Sequence, residues 1–245
     1  MPLIDIHAHW GEWPFGCKPQ TVEDLRAMLD RYDISAMLFS SSKSIQYDME
    51  EGNRELFAFL DGDPRLYGYV TVNPNLPERS LEEIRRYNGH PRFKGIKYHP
   101  YYAGLAIDSP EMDPIYAFAQ ERQYPVLVHA MGNTTCSPLR MIPVNRRFPN
   151  LHLIGAHTGG SFPDLACQAA EETNKNVYFD LSCSYIGRGR VEKIVRAAGA
   201  DRVLFGSDYT LIDPIFIKGE VDEADLLPVE REKIFFSNSA ALFGL

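Results

Sequence analysis

The sequence predicts an α/β protein, a (β/α)8 barrel of the TIM type, with its chemistry at the C-terminal ends of the strands. Three observations lead there. Short apolar, β-branched runs recur along the 245 residues at intervals of roughly 25–32, about one strand–helix–strand step each. Amphipathic segments fill the intervals and no hairpin turn joins two runs, so the strands are parallel and covered by helices. Ionisable residues, histidines above all, stand at the ends of several runs, where barrel enzymes keep their reactive groups. An open, doubly wound sheet shares the first two features; the third favours closure.

The eight runs are Leu3–His9, Ser35–Ser40, Leu66–Asn73, Phe93–His99, Val126–His129, Leu151–His157, Val177–Ser182 and Val203–Asp208. Alternate side chains of a strand share a face, so His7 and His9 fall with Asp5, opposite Ile4, Ile6 and Ala8. Two imidazoles at i and i+2 on a rigid strand can converge on one ion, with zinc–nitrogen bonds of about 2.0–2.1 Å. The polar face of an edge strand gives the same alternation. Between the runs, Thr21–Asp24 and Ser80–Glu83 have the form of capping boxes, and Ser109-Pro110 places a cap residue before a proline suited to a first helical turn. Pro143 makes the helix after the fifth strand start late or kink. Pro228–Leu245 reads as a closing helix in two parts, after a stretch of roughly 19 residues beyond Asp208 with no clear element.

Composition bounds the rest. A hydrophobic content of 44% supports a core without disulfides, in one domain spanning residues 1–245. A formal charge of −8 argues against nucleic acid or an anionic membrane as partner. No apolar run approaches the ~20 residues of a membrane span. The chain opens without a basic, then apolar, leader, so a cytoplasmic protein is expected. Cys17, Cys136, Cys167 and Cys183 form no C-x-x-C pair and read as free thiols; Cys17 and Cys136 are at most neighbours of a site.

The strand ends carry the functional signal. They read His7-Ala8-His9, Lys97-Tyr98-His99, His129, His157 and Ser207-Asp208, and five of the seven histidines occupy them. A lone buried histidine is usually a satisfied core residue, but the coincidence across five strands is not explained that way. His90 and His152 fall at the opposite end of their strands and carry no assignment.

Ile4-Asp-Ile-His-Ala-His9, Gly95-Ile-Lys-Tyr-His-Pro100, Val126-Leu-Val-His129, Gly155-Ala-His-Thr-Gly-Gly160, Leu204-Phe-Gly-Ser-Asp-Tyr209 and Asn238–Leu245 together resemble the amidohydrolase superfamily. The likeness is to its amidohydrolase-related group of hydrolases and non-oxidative decarboxylases. It implies that His7, His9, His129 and Asp208 bind one divalent metal, zinc by ligand type, with manganese, iron or nickel tolerating the same donors. It implies His157 and Asp208 as the catalytic pair. In binuclear relatives a carboxylated lysine bridges two metals at the position of Lys97, so a second metal is the alternative to one. Lys97 and His99 otherwise contact an anionic substrate group or support the ligands, or Lys97 neutralises Asp208 or Asp5. Asp5 is read as a hydrogen-bond partner in the barrel floor.

Further candidates come from the loops. Trp10 and Trp13 would wall the site or pack over the barrel rim. Lys43, Arg188 and Arg190 are cations able to hold a carboxylate. The resulting expectation is a hydrolase that uses a metal-activated water on an amide, lactone or ester of a small molecule, as a monomer or homodimer. The chain's compactness favours hydrolysis over the alternative, decarboxylation of an aromatic or unsaturated acid. A barrel that binds a metal or ligand without turnover is the third reading.

Overall fold

The computed structural model describes residues 2–15, 21–132, 134–185 and 187–245; Cys17 lies outside them. Its strands are β1 (Leu3–Trp10), β2 (Ile34–Ser41), β3 (Leu66–Val72), β4 (Phe93–Tyr98), β5 (Val126–Val128), β6 (Leu153–Gly155), β7 (Val177–Asp180) and β8 (Val203–Leu204). They pair in sequence order, each pair parallel. Ile6 N donates to Phe205 O at 3.0 Å and Asp208 N to His7 O at 2.8 Å, and Ala8 bridges Tyr209 in parallel, so β8 returns to β1. The sheet is a (β/α)8 barrel, not an open one.

The later strands are shorter than the sequence suggests. His157, Thr158 and Asp208 have φ of +67°, +44° and +65°, a left-handed conformation that no strand can include. The chain leaves the ladder before these residues and turns them inward.

Strand β1 also departs from plain alternation. Its register against β2 slips between Asp5 and Ala8, where three steps on β1 match two on β2. The slip lets Ile4 and Ile6 join Leu38, Tyr69, Leu127 and Leu204 in a buried cluster inside the barrel, while His7 and His9 still turn to its mouth. Leu3 and Ala8 pack instead with the larger cluster between sheet and helices. Each fully buried aliphatic side chain contributes about 1.5–3 kcal/mol relative to exposure. Tyr69 adds a hydrogen bond from its hydroxyl to Ile6 O at 2.8 Å.

The helix signals hold unevenly. Thr21 caps helix Val22–Arg31, with reciprocal bonds to Asp24. Ser80 does not open a helix: helix Pro77–Tyr87 starts three residues earlier at a proline, and the Ser80 hydroxyl binds both Asn73 N and Asn73 O. Ser109-Pro110 opens a single 3-10 turn that leads into helix Asp113–Arg122. Pro143 sits in the first turn of helix Met141–Arg147, where its missing N–H costs nothing. The stretch after Asp208 contains a helix, Pro214–Glu223, capped by Asp213. The closing segment runs as helix Pro228–Glu232, a π turn at Lys233–Ser237 and helix Asn238–Phe243, and Phe243 seals the inner cluster from below.

Candidate active site

Five side chains converge at the mouth of the barrel, from β1 and from the turns that follow β5, β6 and β8. His9 Nε2 lies 3.0 Å and His7 Nε2 3.6 Å from Asp208 Oδ1. His157 Nε2 lies 2.9 Å from His129 Nδ1. Donor atoms of His7, His157 and Asp208 all fall within 4.8 Å of one another.

Partners behind these groups fix which nitrogen carries the hydrogen. His7 Nδ1 donates to Asp180 Oδ2 and to Ser182 Oγ, both at 2.8 Å. His157 Nδ1 lies 2.9 Å from the Ser182 carbonyl, which can only accept. Ser40 Oγ donates its own hydrogen to Ala8 O at 3.4 Å, so at 3.0 Å it accepts from His9 Nδ1. Burial pushes the His7, His9 and His129 imidazoles down from their ordinary range, so they are neutral. The Nε2 lone pairs of His7 and His9 therefore face inward, and His157 turns its Nε2 the same way.

Asp208 receives them. Burial alone would raise its carboxyl, but the close His9 imidazole, with His157 and His7 beside it, holds it well below the usual carboxylate range. Its Oδ1 is buried and, among the described residues, accepts no well-directed hydrogen bond. Imidazole lone pairs aimed at a carboxylate oxygen repel it unless a cation lies between them. Ligand atoms on one ion with bonds of about 2.0–2.1 Å stand about 3 Å apart, the spacing found here. The donor set fits a divalent metal.

The sequence profile of the amidohydrolase family matches residues 4–245. The chain belongs to the amidohydrolase 2 family. Solved structures share its fold. The 2,6-dihydroxybenzoate decarboxylase from Rhizobium is 16% identical, with a TM-score of 0.81 over 99% of this chain and 98% of that one. The 5-carboxyvanillate decarboxylase from Novosphingobium aromaticivorans, complexed with manganese, is 18% identical, with a TM-score of 0.78 over 100% and 96%. An amidohydrolase II is 18% identical, with a TM-score of 0.79 over 99% and 100%. Because the alignments span nearly all of each chain, the compactness that favoured hydrolysis does not separate the two reactions.

Above the five residues this amidohydrolase-family barrel holds a chamber of about 220 Å³. Trp13, Phe15 and Tyr102 wall it, with Met131 and Leu211. Trp13 stands edge-on to His9 at 5.1 Å and stacks on Phe15 at 5.5 Å. Trp10 is the packing residue of the pair: it stacks on Phe59 at 5.0 Å and faces a separate cavity.

Lys97 is fully buried, and its Nζ donates to His7 Nε2 at 2.9 Å. Burial pushes its ammonium down to about 8, opposed by Asp208 and Asp180. It is not among the residues that line the chamber, and its contact is with the His7 ring, which it supports. His99 does line the chamber, and its ring stacks on His129 at 4.1 Å. Asp5 takes the place expected of it: its carboxylate accepts from His7 N at 3.1 Å, Ser207 N at 3.0 Å and Ser207 Oγ at 2.5 Å, and burial raises it to about 7.

The loop cations do not serve the chamber. Arg188 is exposed on an outer cleft with Phe216 and Glu223. Arg190 is tied to Glu220, Leu181 O and Thr158 Oγ1, and Lys43 to Glu55 at 2.7 Å. Cys136 and Cys183 are buried thiols, and burial pushes both up.

Asp180, Ser182, Ser40 and Gly206 escaped the sequence reading. Asp180 is the hub behind the site, binding His7 Nδ1, His157 N at 3.2 Å and Ser182 N at 2.8 Å. Reading the seventh strand through to Ser182 hid an acidic strand end of the same kind as the others. Gly206 lets β8 approach: a Cβ there would meet His7 Cβ at 2.9 Å and Asp180 Cγ at 3.2 Å.

Proposed function

We propose that this barrel is a metal-dependent enzyme that decarboxylates a small aromatic or unsaturated carboxylic acid. The aromatic walls of the chamber, Trp13, Phe15 and Tyr102 around a 220 Å³ space directly over the imidazole–carboxylate cluster, carry this reading, because planar rings stack on such surfaces. His7, His9 and Asp208 would hold the ion, with the His129–His157 pair supplying the fourth ligand and the proton carrier. Zinc suits these donors, and so does manganese, the ion in the 5-carboxyvanillate decarboxylase. When bound, the ion supplies Lewis acidity that fixes and polarises the substrate's oxygens.

The protein's own groups do the rest. Trp13 and Phe15 orient the ring and exclude water. The bond from ring carbon to carboxyl carbon breaks, carbon dioxide leaves, and the electron pair stays on the ring carbon. His157, steered by Ser182 O, delivers a proton to that carbon from Nε2.

Hydrolysis is the second reading, favoured by the ionised carboxylate of Asp208, which could take a proton from an attacking water. Incubation of zinc- or manganese-loaded protein with hydroxybenzoates and with an aromatic lactone separates the two. Carbon dioxide release supports decarboxylation. Lactone opening without it transfers the proposal to hydrolysis, and neither reaction, with no metal retained, leaves a barrel without turnover.

A further inference from the structure

A second cavity, of about 290 Å³, lies beside the chamber, between the loops that follow β2, β3 and β4. The two spaces share His99 and Tyr102, so these rings form the partition between them. The cavity's lining includes Thr71, which is 2% exposed and whose hydroxyl has no hydrogen-bond partner among the described residues. His99 Nδ1 is likewise buried and has no hydrogen-bond partner among the described residues.

Thr71 is held firmly. Its N–H donates to Asn53 Oδ1 and its carbonyl accepts from Asn53 Nδ2, both at 3.0 Å. A valine would fill the same strand position without burying an unpaired hydroxyl, so the oxygen is unexplained by packing. The charged groups around the cavity are already matched. Glu50 pairs with Arg79 at 2.6 Å, and Asp48 Oδ1 accepts from Glu51 N at the start of helix Met49–Leu60, at 3.2 Å. Among the described residues the lining offers an anion no free cation, whereas a neutral group that both donates and accepts would satisfy Thr71 and His99 together.

We propose that this cavity is a specificity subsite that takes a neutral, hydroxyl-bearing arm of the substrate whose reacting end occupies the chamber. Thr71 and His99 hold that hydroxyl. The inference rests on the metal-dependent reading of the chamber, and it adds that the substrate extends past the partition.

The test uses hydroxamates, which anchor on a divalent ion whichever reaction the enzyme performs. A short series of straight-chain hydroxamates ending in a hydroxyl is compared with methyl-ended analogues of equal length, on the zinc-loaded protein, by titration calorimetry. At the matching length the hydroxyl-ended compound binds about tenfold tighter, because its analogue leaves two buried polar groups unpaired. Thr71→Val abolishes the preference and Thr71→Ser keeps it. Equal affinities for the wild-type protein at every length overturn the subsite and leave the metal reading standing. The same holds if the preference survives in Thr71→Val. Failure of every hydroxamate to bind overturns the metal reading and the subsite with it.

Discussion

His9 Nε2 faces Asp208 Oδ1 across 3.0 Å, with no hydrogen on His9 Nε2 once Ser40 has accepted the one on Nδ1. A cation between two acceptors so close would offset their repulsion. Purified protein dialysed against zinc is therefore expected to retain about one equivalent by elemental analysis. Asp208→Asn should weaken that binding by about 100-fold or more and reduce turnover in proportion, with an unchanged circular dichroism spectrum. Full metal retention by Asp208→Asn would show that the carboxylate is not a ligand.

Asp180 touches no chamber, yet it fixes His7 through Nδ1 and His157 through its backbone N–H. Groups behind metal ligands typically change affinity by about 10–100-fold when removed. Asp180→Asn is expected to lower zinc affinity by that factor in a chelator competition. A variant that binds zinc like the wild type would reduce Asp180 to a purely structural acid.

The same residues mark how far the sequence could be read. Strand number and order followed from the spacing of the runs, and both closure and the convergence of His7, His9, His129, His157 and Asp208 followed from the ionisable residues at the strand ends. Strand lengths did not follow, because left-handed residues such as His157 and Asp208 end a ladder by conformation and leave no mark in hydrophobicity. Nor did the slip in β1: alternation put Ile4 and Ile6 on the face away from the histidines, yet the bulge brings both sets inside the barrel. Which loop residues line the chamber depended on tertiary packing, and so Trp13 faces His9 while Trp10 stacks on Phe59.

Far from the site, Asp63 gives a pH dependence of stability. Its carboxylate accepts from Arg65 Nε at 2.9 Å and Arg26 Nε at 3.3 Å, and Arg65 above all holds it down to about 2. A folded-state value below the unfolded one stabilises the fold above about pH 4, and that contribution is lost as the pH falls toward 2. Discounted for solvent screening of the arginines, it amounts to about 1 kcal/mol. Urea unfolding should show Asp63→Asn less stable by that amount at pH 7, with the gap closing from about pH 4 downward. A gap that is constant with pH would remove the ion pair as its cause.

Gly206 tests how tightly the seam between β8 and β1 fixes His7. A methyl group at this position would approach His7 Cβ to 2.9 Å and Asp180 Cγ to 3.2 Å, and neither neighbour has room to retreat, since both are fully buried. Overpacking of this kind costs about 1–3 kcal/mol. Relief comes from moving His7 away from the seam, which carries Nε2 off its line to Asp208. Gly206→Ala is therefore expected to lose stability by that amount in urea unfolding and to bind zinc more weakly, two effects that a change remote from the site would not couple. Loss of stability with wild-type zinc affinity would show that the strand yields and His7 does not, and the close approach would then be a feature of packing alone.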